Sequence, residues 1–406
     1  MNRLSPLPIL ARRTITAACM KTSGVKTPVF SRARSARLKP CPDEANCEPV
    51  SSHSPLATRH SLLPVLLLVI IAPLTLNAQE KPILEISHDC QVFAVSSNNK
   101  IVCAVPGLKR VKKAIIQRAD LFVASNGKDR QILEADKFMP VPPPQSYIVN
   151  SLSWSPDGSR IAMSMTQQKP ATDDEPSSAG PAVALLDDDG HEIKVPGLKG
   201  RFIEEAARAT WLADNVNVAY LIGAGPFKIG RISTVTGQAS TLFEGHTFDA
   251  VVWDAAHNSA YAISSNLNVQ NRQAIFQLDL MKEGVREIAR IDAYQGQLSV
   301  SPSGKKIGFF ADGDAIEVID LSNPSKPTKV RAGMGMFEWS RDERRVLLKR
   351  GPPEKSGELI WVGLYDNTFV PALHGLEYHA FEITPDGGAV VVTEPGRSVL
   401  RMFSLE

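Results

Sequence analysis

The chain has 406 residues, enough for two or three average domains or for one large all-β ring. It is 43% hydrophobic and 22% charged with a formal net charge of +2, an ordinary soluble composition. That charge is split: residues 1–78 carry ten Lys/Arg against three Asp/Glu, which leaves residues 79–406 at +2 − 7 = −5. A mildly acidic body does not suit a nucleic-acid partner, whose phosphates need a basic face.

In chain order, the first 58 residues are rich in Ser, Pro and Arg and show neither helix nor strand period, the signature of a disordered leader. They suggest that translation starts further downstream, near Val50. The apolar run Leu62–Ala72 follows Arg59 and leads through Leu76-Asn77-Ala78 to Gln79. It is too short to span a bilayer and has the grammar of a signal peptide over 59–78, with Gln79 as the mature terminus. An uncleaved N-terminal anchor is the alternative and the one route to a membrane. Of five cysteines, Cys19, Cys41 and Cys47 fall in the leader, while Cys90 and Cys103 remain as a candidate disulfide of an exported domain. In a regular hairpin that pairs Val95 with Ile101, Cys90 would face a residue near 106, three positions from Cys103.

From residue 80 onward one unit recurs: an apolar stretch, a tight turn and a second apolar stretch. It is plainest as Trp154-Ser155-Pro156-Asp157-Gly158, Val300-Ser301-Pro302-Ser303-Gly304 and Ile383-Thr384-Pro385-Asp386-Gly387. Looser copies follow Val95, Trp211, Trp253 and Trp339, so that seven turns begin at 96, 155, 212, 254, 301, 340 and 384. Pro presets φ, Asp bonds nearby amides and Gly takes positive φ, so each copy reads as a hairpin. A second pair of short strands follows each hairpin, as in Leu121–Ala124 with Gln131–Leu133. Seven units of four antiparallel strands predict an all-β, seven-bladed β-propeller over 79–406. The last unit, ending at Glu406, is one strand short, and Ile83–Ile86 stands about thirteen residues before the first turn, where a fourth strand belongs. The N-terminal strand is therefore expected to close the ring on the last blade.

The Trp/Ser-Pro-Asp-Gly hairpin resembles the repeat of TolB-type propellers, relatives of the WD-repeat blade, over roughly residues 83–406. The resemblance implies an envelope or extracellular protein or peptide partner but carries over no binding residue. The separate N-terminal domain of TolB itself is not matched.

No nucleophile elbow, zinc helix, phosphate loop or dinucleotide fingerprint is present, and no cofactor is expected. Ser303-Gly304-Lys305-Lys306 lies in a blade turn, and Asp187-Asp188-Asp189-Gly190 matches only the start of a calcium loop. The pairs His246/His257 and His374/His379 read as surface or hydrogen-bonded histidines, with metal binding as the alternative. Two loops break the repeat: the basic stretch 107–113 and the acidic, Pro/Ser-rich stretch 167–181, each a solvated loop or a docking surface. Propellers bind at the mouth of the central channel, where the first strand of each blade begins. Counting five to seven residues back from each turn places Asp89, Asn150, Glu205, Asp249, Tyr294, Glu377 and His379 there. The expectation is a monomeric, periplasmic or secreted bacterial propeller that binds a protein or peptide. The alternative is a propeller enzyme of lyase, lactonase or glycosidase type working through funnel carboxylates.

Overall fold

The computed structural model describes residues 81–111, 114–139, 146–169, 178–223, 225–264, 273–292, 294–352, 355–373, 377–394 and 399–405. The proposed leader and signal peptide lie outside these residues. Seven four-stranded antiparallel sheets form a seven-bladed propeller, with two single-turn helical segments at Ala135–Phe138 and Ala255–His257. The first strands of blades 1 to 7 are Val92–Val95, Ser146–Trp154, Ala206–Trp211, Ala250–Asp254, Gly296–Val300, Gly335–Trp339 and Ala380–Ile383. All seven expected turns join first to second strands.

The turn chemistry explains why imperfect copies still fold. At Ser155 the hydroxyl donates to Asp157 Oδ1 (2.5 Å) and accepts the Arg160 amide (2.9 Å), while the Ser155 amide donates to the Arg160 carbonyl (2.8 Å). Ser96 with Asn98, Ser340 with Asp342 and Thr384 with Asp386 repeat the arrangement. In these four blades the hydroxyl and the acceptor two residues on hold the turn whether or not Pro and Gly are present. Gly158 (φ 66°) and Gly387 (φ 74°) use left-handed backbone, which Asn99 (φ 58°) and Glu343 (φ 55°) adopt in the blades that lack the glycine.

The turns also join one another around one face of the ring. Ser97 Oγ donates to the Pro156 carbonyl (2.7 Å), Arg160 to the Asn215 carbonyl (2.5 Å) and the Ala213 amide to Asn258 Oδ1 (2.8 Å). Tyr261 OH donates to the Gly304 carbonyl (3.1 Å) and the Ser303 amide to Glu343 Oε1 (2.7 Å). Arg341 and Asn99 then reach Asp386 from either side (both 3.1 Å). These seven links pass through all seven blades.

Closure follows the expected route. Leu84–Ile86 pairs antiparallel with Leu400–Ser404 as the fourth strand of blade 7, in the register Leu84↔Met402, Glu85↔Arg401, Ile86↔Leu400. The Ile83 amide adds a bond to the Met402 carbonyl (2.8 Å), and Arg401 joins Glu85 (3.0 Å) and Glu394. Cys90 and Cys103 form a disulfide with Cα atoms 5.5 Å apart. A regular hairpin would leave them out of register, but the Cys90 amide turns back onto the His88 carbonyl (2.8 Å), so strand pairing begins only at Gln91, bonded to Ala104 (3.1 Å). That kink moves Cys90 beside blade 1's second strand. Between blades, apolar faces pack into successive cores, such as Trp154, Met163 and Leu121 between blades 1 and 2.

Blade 1 departs from the repeat. Its second and third strands, Ile101–Val111 and Ala114–Ser125, pair well beyond Ala104, the partner of Val92 at the start of its first strand. The overhang of some seven residues is roughly 20 Å long at strand spacing. Tyr147 OH donates to the Ala119 carbonyl (2.6 Å), the Gln117 amide donates to Ser146 Oγ (3.1 Å), and Asp136 pairs with buried Arg118 (3.1 Å) and with Lys109. The Asp187–Gly190 segment is a turn, its Asp187 carboxylate accepting the Asp189 and His191 amides (3.0 and 2.8 Å). No helix among the described residues is long and apolar enough to cross a membrane.

Candidate functional site at the channel mouth

First strands run from the mouth of the channel to the turns, so the mouth lies on the face opposite the turn ring. Of the seven mouth residues expected from sequence, two bear on each other electrostatically. Tyr294, just before blade 5, feels the charges of Asp249, just before blade 4, and of Arg208 in blade 3. Blades 3 and 5 are not neighbours in the ring, so the Arg208 charge bears on Tyr294 from beyond blade 4. Burial pushes the Tyr294 phenol up to about 12, with Asp249 adding to the rise and Arg208 opposing it. The phenol is therefore a firmly protonated donor at neutral pH.

Arg208 was not foreseen, because counting back from the turn assumes a regular strand. Blade 3 carries a bulge between Ala207 and Thr210, and Arg208 takes left-handed backbone there (φ 48°). Similar bulges displace Asn150 in blade 2 and Gln297 in blade 5. Such bulges re-aim a side chain at a rim. The signal in the sequence is a lone cation inside an otherwise small and apolar strand, Ala206–Trp211.

The other expected residues make local contacts or face solvent. Asn150 donates to Thr166 Oγ1 of its own blade (2.8 Å). Glu205 is exposed, in left-handed backbone (φ 59°), between the last strand of blade 2 and the first of blade 3. Glu377 is exposed and accepts from Ser356 Oγ (2.7 Å). The His379 amide bonds to Thr393 (2.7 Å), and its carbonyl accepts from the buried Lys349 ammonium (3.0 Å). Asp89 is exposed; its neighbour His88 stacks on Phe122 (3.9 Å) and bonds Asp129 (2.7 Å), so this stretch runs along the outer strands of blade 1. His246 stacks on Phe248 (6.5 Å) and His257 bonds Asp254 (2.7 Å), so the two serve separate partners; His374 lies outside the described residues. No group of three or more His, Cys, Asp or Glu among the described residues is placed to hold a metal ion.

A second unforeseen feature lies nearer the turns. Glu338 and Glu382 occupy equivalent positions, two residues before the turns of blades 6 and 7. Each accepts a backbone amide of the next blade: Ile383 on Glu338 (2.6 Å) and Val95 on Glu382 (3.0 Å). Burial raises Glu338 to about 7. Burial and then the charge of Glu338 raise Glu382 to about 8. The pair therefore bridges both sides of the closing blade and gives up its protons well above the ordinary carboxylate range.

No family model and no curated protein sequence matches the chain. Among solved structures, a chain of the mitotic checkpoint complex aligns over 80% of this chain and 96% of its own length, at 13% identity and a TM-score of 0.53. The Cps50 (Swd1) β-propeller domain of Myceliophteria thermophila aligns over 80% and 99%, at 14% identity and 0.52. At these identities the likeness is one of fold: the chain is a β-propeller.

Proposed function

We propose that the chain is an exported, non-enzymatic propeller of the TolB-like type that binds a protein or peptide on its mouth face. The observation that carries this reading is the overhanging hairpin of blade 1. It is braced by blade 2 and by Asp136, yet holds Leu108 and Ile115 outward, 66% and 71% exposed, beside the basic Lys109 and Arg110. An isolated two-stranded ribbon is marginal in water, so this one is held rigid by its neighbours. A rigid projection with an apolar, basic tip next to a polar opening is a docking element in form. One of the solved propellers of similar fold was determined within a multiprotein complex, in keeping with such a role. Export and the signal peptide rest on the sequence pattern at 59–78. The paired carboxylates Glu338 and Glu382 are engaged by backbone amides of neighbouring blades, so they serve the ring before any substrate.

Two experiments test the reading. Terminal mass analysis of native material is expected to find Gln79 as the first residue; intact peptides from residues 1–58 would contradict export by cleavage. The double variant Leu108→Asp/Ile115→Asp is expected to fold normally and to lose co-precipitation of an envelope partner that the parent retains. Undiminished capture would remove the hairpin from the interface.

A further inference from the structure

The overhanging ribbon of blade 1 has one edge that its neighbours do not use. In an antiparallel ladder the backbone groups of alternate residues point to opposite sides of a strand. The Lys100 carbonyl accepts the Ser96 amide (2.8 Å) and the Ala104 carbonyl accepts the Gln91 amide (3.1 Å). Even-numbered residues of Ile101–Val111 therefore point towards the first strand, and odd-numbered ones towards the third, with which the ribbon pairs as far as Val111↔Ala114. The first strand begins only at Val92, opposite Ala104. Pro106, Leu108 and Arg110 thus direct their backbone groups past its end, and no hydrogen bond reaches them on that side among the described residues. The first strand is the innermost of the blade, so this free edge looks over the channel mouth.

The two faces of the ribbon are unequal. On one, Ile116 and Arg118 are buried and Lys109 pairs with Asp136. On the other, Leu108 and Arg110 stand with their cross-strand partners Gln117 and Ile115. Leu108 and Ile115 are exposed there, and Arg110 makes no ion pair among the described residues. An edge that is only guarded against stray pairing carries proline and charge and keeps apolar groups away. This one has Pro106 at its base, yet it sets two apolar side chains beside the open groups of Leu108 and Arg110. A strand laid along it gains main-chain hydrogen bonds and places alternate side chains on the face of Leu108 and Arg110. Opposite charges facing across strands stabilise, and like charges repel. The tip sequence holds Lys109, Arg110, Lys112 and Lys113, so a second copy of this edge is a poor match and an acidic segment a good one.

We propose that the mouth-facing edge from Pro106 to Arg110 takes an extended segment of the protein partner as an added β-strand, with an acidic side chain opposite Arg110 and an apolar one opposite Leu108. This rests on the docking reading above and gives it a binding mode.

The test uses the full chain and the probe acetyl-Val-Thr-Glu-Thr-Ile-amide, whose Glu and Ile amides would face the edge. Hydrogen–deuterium exchange read residue by residue is expected to find the Leu108 and Arg110 amides fast and the Lys109 amide slow. Saturating peptide is expected to slow Leu108 and Arg110 about tenfold, an alternation that a side-chain contact alone would not produce. Methylating the Glu and Ile amides of the peptide, or replacing its Glu by Lys, is expected to weaken binding about tenfold, whereas methylating its Thr amides is tolerated. Leu108→Pro removes the same bond from the protein side, on the edge where Pro106 is already accommodated, and is expected to weaken binding about tenfold more than Leu108→Ala. If that variant fails to fold, the methylated peptides report the same bond. No slowing at Leu108 and Arg110, equal binding of the unmodified and Glu/Ile-methylated peptides, or equal binding of the Lys peptide would overturn the assignment. So would protection that appears without peptide as protein concentration rises, the mark of a second copy on this edge. The Leu108→Asp/Ile115→Asp variant reports separately. Partner loss there with no peptide protection of the parent keeps the docking reading and discards strand addition, whereas peptide protection without partner capture does the reverse.

Discussion

Glu338 and Glu382 show how a single residue type can couple the ring to pH. In the unfolded chain both carboxyls ionise near pH 4.5; in the propeller they hold protons up to about pH 7 and 8. Between these limits the folded state binds more protons than the unfolded one, so stability falls as pH rises from about 4.5 to 8. Glu382→Gln keeps the acceptor for the Val95 amide and removes the charge. It is expected to stabilise the protein by about 1–3 kcal/mol at pH 8 and to change little at pH 4.5. Thermal melts across that range check it, and parallel pH curves for variant and parent would contradict it. The tryptophans offer a sharper contrast. Trp154 Nε1–H donates to the Ala94 carbonyl of blade 1 (3.0 Å), while the buried Trp211 Nε1–H has no hydrogen-bond partner among the described residues. Both Trp→Phe changes leave a cavity, but only Trp154→Phe also strands a carbonyl. Chemical denaturation is expected to find it costlier than Trp211→Phe by about 1–2 kcal/mol; equal losses would refute the distinction.

At the scale of the element, the hairpins were legible because their chemistry is local. Ser or Thr followed two residues later by Asp or Asn survives at Ser96, Ser155, Ser340 and Thr384, even where Pro or Gly is lost. The bulges were not legible, since they answer to the neighbouring blade. Gln297 is displaced so that its amide group can exchange two bonds with the Phe337 backbone of blade 6 (2.5 and 2.9 Å), a constraint no local pattern records. Arg208 was missed for the same reason, and the buried Glu338 and Glu382 because their partners lie about 45 and 290 residues away. The Cys90–Cys103 bridge depended likewise on the kink at His88, which the strand count lacked. That bridge fixes the chain just after the closing strand onto blade 1. Removing it as Cys90→Ala/Cys103→Ala is expected to cost about 2–3 kcal/mol by the loop it closes, read by denaturant midpoint against the parent; an unchanged midpoint would deny it that role.

For the whole molecule, closure was legible from counting strands, because a ring that ends one strand short must recruit its other end. What the ring accomplishes is to join residues far apart in sequence, as Glu382 and the Val95 amide across the closing seam. The face opposite the mouth is consumed by its own turn-to-turn bonds, from Ser97 and Pro156 around to Asp386 and Asn99. The two faces therefore differ: one is laced by bonds from turn to turn, while the other carries the overhanging hairpin of blade 1. Site-specific photo-crosslinking in the native host tests that asymmetry most directly, with the crosslinker placed at Leu108 on the mouth face or at Ser303 in the turn ring. The account predicts a discrete protein adduct from position 108 and none from position 303. An adduct from the turn ring with silence at the hairpin would show that the partner docks on the other face.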